Sequence, residues 1–193
     1  MTFLFYILLF LILGLFVVGL TLFFIFILDS LIRGHDLTTS RRLTKKLAET
    51  IRKYKPDAKN FYDLGCGRGA LSLRLKKLLP YLDIYGLDNS AARIFFAKLK
   101  GKILRRKVHF RKQDIFQTDL RNADVVYAYL WYDLMSNLEN KLQKELKQGA
   151  VVITNTSYFQ DWPAVEKIIT NPKISKTPNF ETLFVYVKLK LLP

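Results

Sequence analysis

Ten residues, Asn60 to Gly69, read N-F-Y-D-L-G-C-G-R-G and leave the chain few ways to fold. A short apolar run ends in an aspartate, glycines follow at alternate positions, and Leu71, Leu75 and Leu78 then recur at helical spacing. That order describes a strand, a tight turn and a helix. Glycine is needed where the backbone takes a left-handed conformation or lies directly against a ligand. Gly65, Gly67 and Gly69 are three of the chain's nine glycines. The helix start beyond them offers unpaired N–H groups, across which a nucleotide-like ligand can lie.

The spacing distinguishes this turn from its relatives. It is G-x-G-x-G, not the G-x-G-x-x-G of dinucleotide folds, and it lacks the lysine and hydroxyl pair of a P-loop. With Asp63 two residues before Gly65, the stretch resembles the first motif of the class I S-adenosylmethionine-dependent methyltransferases. Arg68 departs from the acidic residue common at that place in the family.

Phe3 to Leu28 contains no charged side chain. A helix over that run is about 39 Å long against about 30 Å of hydrocarbon core, so it predicts a tilted membrane span. A cleaved signal peptide would need a basic start, a shorter apolar core and a small-residue cleavage site. Met1-Thr2 and Asp29-Ser30-Leu31-Ile32-Arg33 supply none of these, so the expectation is an uncleaved anchor. All 31 Lys and Arg and all 16 Asp and Glu follow the run, giving the remainder its net charge of +15. Arg33, Arg41, Arg42, Lys45 and Lys46 lie just beyond it, which predicts a single-pass protein with its N-terminus outside and its domain on the cytoplasmic side, near anionic lipid. The expected organisation is an anchor over 1–28, a basic juxtamembrane segment with an amphipathic helix over 29–58, and one domain over 59–193. In the middle segment Leu43, Leu47, Ile51 and Tyr54 recur at helical spacing behind Thr39 or Ser40 as a cap.

From Asn60 onward, strand-like runs near 61–64, 82–87, 107–111, 124–130 and 150–154 alternate with helical ones near 70–79, 91–100 and 134–147. Such alternation predicts an α/β fold, a Rossmann-like, doubly wound, mostly parallel sheet with helices on both faces. Two further runs, 173–176 and 182–188, read as an antiparallel pair at its edge, completing seven strands with a reversed last one. That ending is also the one the methyltransferase resemblance implies.

The sole cysteine, Cys66, cannot form an internal disulfide, and with two histidines, His35 and His109, no metal site of ordinary ligand spacing can be written. We expect no metal. Strand alternation sets His109 opposite Val108 and Phe110, as a solvent-facing residue.

Ligands in open α/β sheets lie beyond the carboxyl ends of the strands. The second strand ends in Y-G-L-D-N-S, placing Asp88 about twenty residues past the glycines, where a carboxylate can accept both ribose hydroxyls. An aspartate there can equally be a helix cap or turn residue. The resemblance implies S-adenosyl-L-methionine as cofactor, held by Thr39, Asp63, Gly65, Cys66, Gly67, Gly69, Asp88 and Asn89, with Asp114 and Ile115 at the adenine.

After the fourth strand, Y-A-Y-L-W-Y-D-L-M-S-N-L-E-N-K-L and the later Asp161-Trp162-Pro163 resemble a family of protein lysine methyltransferases. It includes broad-specificity archaeal enzymes and membrane-anchored mitochondrial enzymes acting on the c-subunit of adenosine triphosphate synthase. That family's P-T-P signature is matched here by T-T-S, Thr38 to Ser40, which keeps only the central threonine. Tyr129, Trp131 and Tyr132 can surround a cationic amine or sulfonium, and Asp133 can orient the amine or take its proton through water. Plain core packing is the bland alternative for the aromatics, and alternation forbids all three from facing one site. The resulting expectation is a membrane-anchored methyltransferase acting on a lysine of a membrane-associated protein. RNA, lipid and quinone-like small molecules rank next. The net charge suits nucleic acid, whereas tethering favours acceptors in the same membrane. A non-catalytic donor-binding scaffold is the reading from a different class.

Overall fold

The computed structural model describes residues 2–33, 39–170 and 181–189. The chain divides into two compact units, Met1–Leu37 and Thr38–Pro193. The described residues of the first form one helix, α1 (Thr2–Arg33), long and apolar enough over Phe3–Leu31 to cross a membrane.

The second unit opens with α2 (Arg41–Tyr54), which starts where Ser40 Oγ accepts the Leu43 N–H at 3.1 Å. Its Leu43, Leu47 and Ile51 are wholly buried, while Arg41, Arg42, Lys45 and Lys46 remain exposed. A continuous apolar stripe on an otherwise cationic helix stabilises it only through packing. Here the packing partners are α3 (Ala70–Leu78) and the sheet, at Leu71, Leu75, Phe61 and Ile84.

The sheet comprises β1 (Asn60–Leu64), β2 (Asp83–Asp88), β3 (His109–Lys112), β4 (Val125–Ala128), β5 (Val151–Asn155), β6 (Glu166–Ile169) and β7 (Thr182–Val187), in the order β3-β2-β1-β4-β5-β7-β6. β1 to β5 are mutually parallel, and β7 runs antiparallel to both β5 and β6. This is a Rossmann-like sheet whose order reverses between β1 and β4, the place where ligands bind in such folds. The partner of the last strand is β6; the expected strand over 173–176 lies outside the described residues. β4 is shorter than its apolar run over 124–130, because it stops at Ala128 where the chain turns toward Trp131.

Helix α4 (Ala91–Ile103) joins α2 and α3 on one face, where Ile94 and Ala97 pack on Phe110 and Leu73. Helix α5 (Met135–Glu145) covers the other face through Leu138 and Leu142, against Leu64, Val126 and Val152. Between β3 and β4 the crossover holds only a 3-10 turn, Ile115–Gln117. On that thinly covered face Tyr62, Tyr85 and His109, adjacent in register, stack at 4.8 Å and 5.1 Å. His109 is therefore half-buried in an aromatic row and not simply solvent-facing, since cross-strand rings cover one another.

Candidate active site

The turn after β1 is shaped by its glycines. Gly65, Gly67 and Gly69 have φ of +78°, +53° and +72°, the left-handed region that side chains disfavour. A Cβ on Gly65 would lie 2.6 Å from Leu130 Cδ2, and one on Gly69 would lie 2.5 Å from the Phe110 ring. The turn is thus clamped between the end of β4 and the edge of β3. Its Gly65 and Cys66 N–H groups both donate to Leu87 O at 2.9 Å, fixing it to β2. Gly69 begins α3 and, having no side chain, supplies no side-chain cap to it.

Asp88, the last residue of β2, is buried. Its Oδ2 accepts the Gly67 N–H at 3.0 Å and its Oδ1 accepts the Ser90 N–H at 2.8 Å. The carboxylate therefore ties the glycine turn to the entry of α4, while the capping role falls to Ser90, whose Oγ accepts the Arg93 N–H at 3.2 Å. Asn89 beside it is exposed and Cys66 is buried. Asp63 is buried within β1, where the Ser72 hydroxyl donates to its Oδ2 at 2.5 Å. It therefore braces α3 against β1. Asp114 is exposed, its Oδ1 accepting the Phe116 N–H at 2.9 Å as the cap of the 3-10 turn, and Ile115 packs inward beside Leu64 and Leu87.

Thr39 lies just ahead of α2 and is buried. Its Oγ1 lies 3.3 Å from the Tyr127 hydroxyl, and its carbonyl accepts from Arg74 Nη1 at 2.6 Å. Tyr127 is fully buried, and burial pushes its phenol above the usual range, so it stays neutral and serves as a hydrogen-bonding strut shared with Asn155.

The residues after β4 separate in space. Tyr129 is half-buried against the α2–α3 side of the core, whereas Trp131, Tyr132 and Asp133 are exposed. The segment after β5 folds back to meet them: Ser157 Oγ donates to Leu130 O at 3.2 Å, Gln160 Nε2 donates to Tyr132 Oη at 2.6 Å, and the rings of Tyr132 and Tyr158 meet edge-on at 6.2 Å. Glu139 of α5 holds that segment from below, accepting the Gln160 N–H at 3.1 Å; burial raises its carboxyl above 4.5. Sequence reasoning missed Tyr127, Glu139, Tyr158 and Gln160. Only the run Y-F-Q-D-W, aromatic and polar without helical or strand spacing, marked the last two. Among the described residues no group of His, Cys, Asp or Glu is placed to hold a metal ion.

These features can be set beside known proteins. Residues 63–166 match the model of the ANTKMT methyltransferase domain. A protein-lysine N-methyltransferase of Saccharolobus islandicus is 25% identical over 151 residues, 77% of this chain and 90% of that protein. A carboxy-S-adenosyl-L-methionine synthase of Nautilia profundicola is 30% identical over 129 residues, 66% of this chain, and the chain spans only 53% of that protein. A Salinibacter ruber RNA methyltransferase solved with S-adenosyl-L-homocysteine superposes with a TM-score of 0.70 at 19% identity, covering 81% of this chain and 97% of that one. The last comparison speaks to fold alone. The chain belongs to the ANTKMT methyltransferase domain family; it is a methyltransferase, and S-adenosyl-L-methionine is its methyl donor.

The residues present fit that donor. The uncapped start of α3, the left-handed glycine turn and a buried carboxylate at the end of the neighbouring strand converge at the reversal of strand order.

Proposed function

We propose that the protein is a membrane-anchored methyltransferase acting on the side-chain amine of lysine in a membrane-associated protein. The observation that carries this reading is the similarity to the archaeal protein-lysine N-methyltransferase along 90% of that protein's length. When bound, S-adenosyl-L-methionine supplies a methyl group on a sulfonium to an electron pair of the acceptor. Asp88 would hold the ribose hydroxyls, Asp114 and Ile115 the adenine, and Thr39, Gly65, Cys66, Gly67, Gly69 and Asn89 the remainder, with Asp63 bracing the turn. Most of the rate then comes from positioning. Of the aromatics after β4, Tyr129 is the first candidate to offer a face to a cationic amine, with Trp131 and Tyr132 as the alternatives on the exposed side. Asp133, exposed beside them, orients the amine and passes its proton to water. Gln160 and Tyr158 fix the rim on which Tyr132 stands.

The organisation proposed is an anchor over 1–28, a basic linker and helix over 29–58 and the catalytic domain from 59. The N-terminus is outside and the domain on the cytoplasmic side, because the positive residues cluster after the apolar helix. A net charge of +15 favours RNA as the second reading. The deciding experiment is transfer of labelled methyl from S-adenosyl-L-methionine into membranes lacking this protein, followed by separation of protein, lipid and nucleic acid. Label recovered as methyllysine in a membrane protein supports the proposal. Label in RNA or lipid replaces it, and donor binding without transfer makes the protein a scaffold.

A further inference from the structure

The outer face of α4 is chemically unlike a solvated helix surface. Phe95, Leu99 and Ile103 recur four residues apart and are 51%, 39% and 71% exposed, and Leu104, just past the end of the helix, is 47% exposed. Isolated exposed apolar residues are ordinary, but three large ones in contiguous helical register, with a fourth at the helix end, form a patch of the kind that marks an interaction site. The inner face, Ile94, Ala97 and Gly101, already packs on the sheet, so the stripe is surplus to the core.

The charges around it have one sign. No acidic residue occurs from Ala91 to Gln113. Lys98 and Lys102 flank the stripe along one side, Lys100 lies on the other, and Arg105 and Lys107 follow its end, all exposed. Among the described residues none of these five is in an ion pair. An apolar stripe bordered by unpaired cations is the pattern of a helix lying in a bilayer interface: the apolar side chains enter the acyl boundary and the cations meet anionic headgroups. An acidic protein groove would want the cations but not four aliphatic and aromatic side chains standing free. RNA would want exposed stacking rings, and of these only Phe95 is present.

We propose that α4 is a second membrane contact, docking the catalytic domain on an anionic bilayer through Phe95, Leu99, Ile103 and Leu104 with Lys98, Lys100 and Lys102 at the headgroups. This goes beyond the methyl-transfer reading and depends on it only in that the chain resides at a membrane. Docking by α4 restrains the site as well, since α4 starts directly from Asp88 and Ser90.

The full chain, reconstituted into vesicles, tests this with Ile103→Trp and brominated phospholipid. The expected result is quenching of the added fluorescence in vesicles containing phosphatidylglycerol, weak or no quenching in phosphatidylcholine alone, and relief by salt. Reversing Lys98 and Lys102 to Glu in the same background lowers docking by at least about fivefold for each charge. In the unaltered chain, α4 amides exchange hydrogen more slowly on the anionic vesicles than on the neutral ones. Resistance to carbonate extraction reports the anchor separately. Extraction-resistant chain without quenching and without slowed exchange overturns the α4 contact, while quenching of extractable chain overturns only the anchor. Slowed exchange of α4 on adding RNA, with neither quenching nor slowed exchange on anionic vesicles, also overturns the proposal.

Discussion

A single carboxylate illustrates how one residue serves both fold and site. Asp88 accepts two backbone N–H groups, one from the glycine turn and one from the entry to α4. Asp88→Ala leaves both donors unpaired, so it should cost about 1–3 kcal/mol of stability. We expect it also to weaken donor affinity at least tenfold by calorimetry; full affinity in the folded variant removes Asp88 from the ribose site. Glu139 acts at one remove. Glu139→Ala releases the Gln160 N–H and with it the rim carrying Tyr132 and Tyr158. The expected outcome is a KM for the protein acceptor raised about tenfold, with the donor Kd unchanged. A parallel loss of both would mean that Glu139 supports the fold as a whole. Asp88 was legible in the sequence because the end of a strand is easy to place. Glu139 was not, because a glutamate on a helix looks solvated until the segment above it is known.

At the scale of elements, the strands are held by a carboxylate far from the site. Asp124, just ahead of β4, accepts the N–H groups of Lys59 and Asn60, both at 2.8 Å, and pairs with Lys147 at 2.6 Å. Burial pushes its carboxyl upward, but Lys147 and the two N–H groups outweigh it and hold it below its ordinary 3.8. A carboxyl depressed on folding contributes stability above its unfolded value and loses it as pH falls through the folded one. Thermal melts below about pH 4 should therefore show a loss that Asp124→Asn makes smaller; identical acid profiles would exclude the residue. The elements themselves were largely readable: alternating apolar runs gave the parallel strands, and Leu43, Leu47 and Ile51 gave α2. What escaped was β6, whose E-K-I-I has too few residues for periodicity and acquires its strand character only from pairing with β7.

For the whole molecule, the two units call for separate handling. Removing Met1 to Leu28 should yield a soluble protein that binds S-adenosyl-L-methionine with unchanged affinity, because the core of the second unit draws on residues from Leu43 onward. Aggregated or unfolded product would show that the first helix contributes to folding. The sequence made the cofactor legible, since glycines and aspartates at strand ends obey local rules. The acceptor was much less legible, since the rim is assembled from β4, α5 and the segment after β5, whose proximity only the fold creates. The order of the sheet has a temporal consequence as well. β7 lies between β5 and β6, yet it is synthesised after both. While the chain is being made, β5 therefore presents a bare edge and β6 has no neighbour, leaving the nascent domain open to pairing with other chains. Arrival of Thr182–Val187 fills the gap and seals both strands at once.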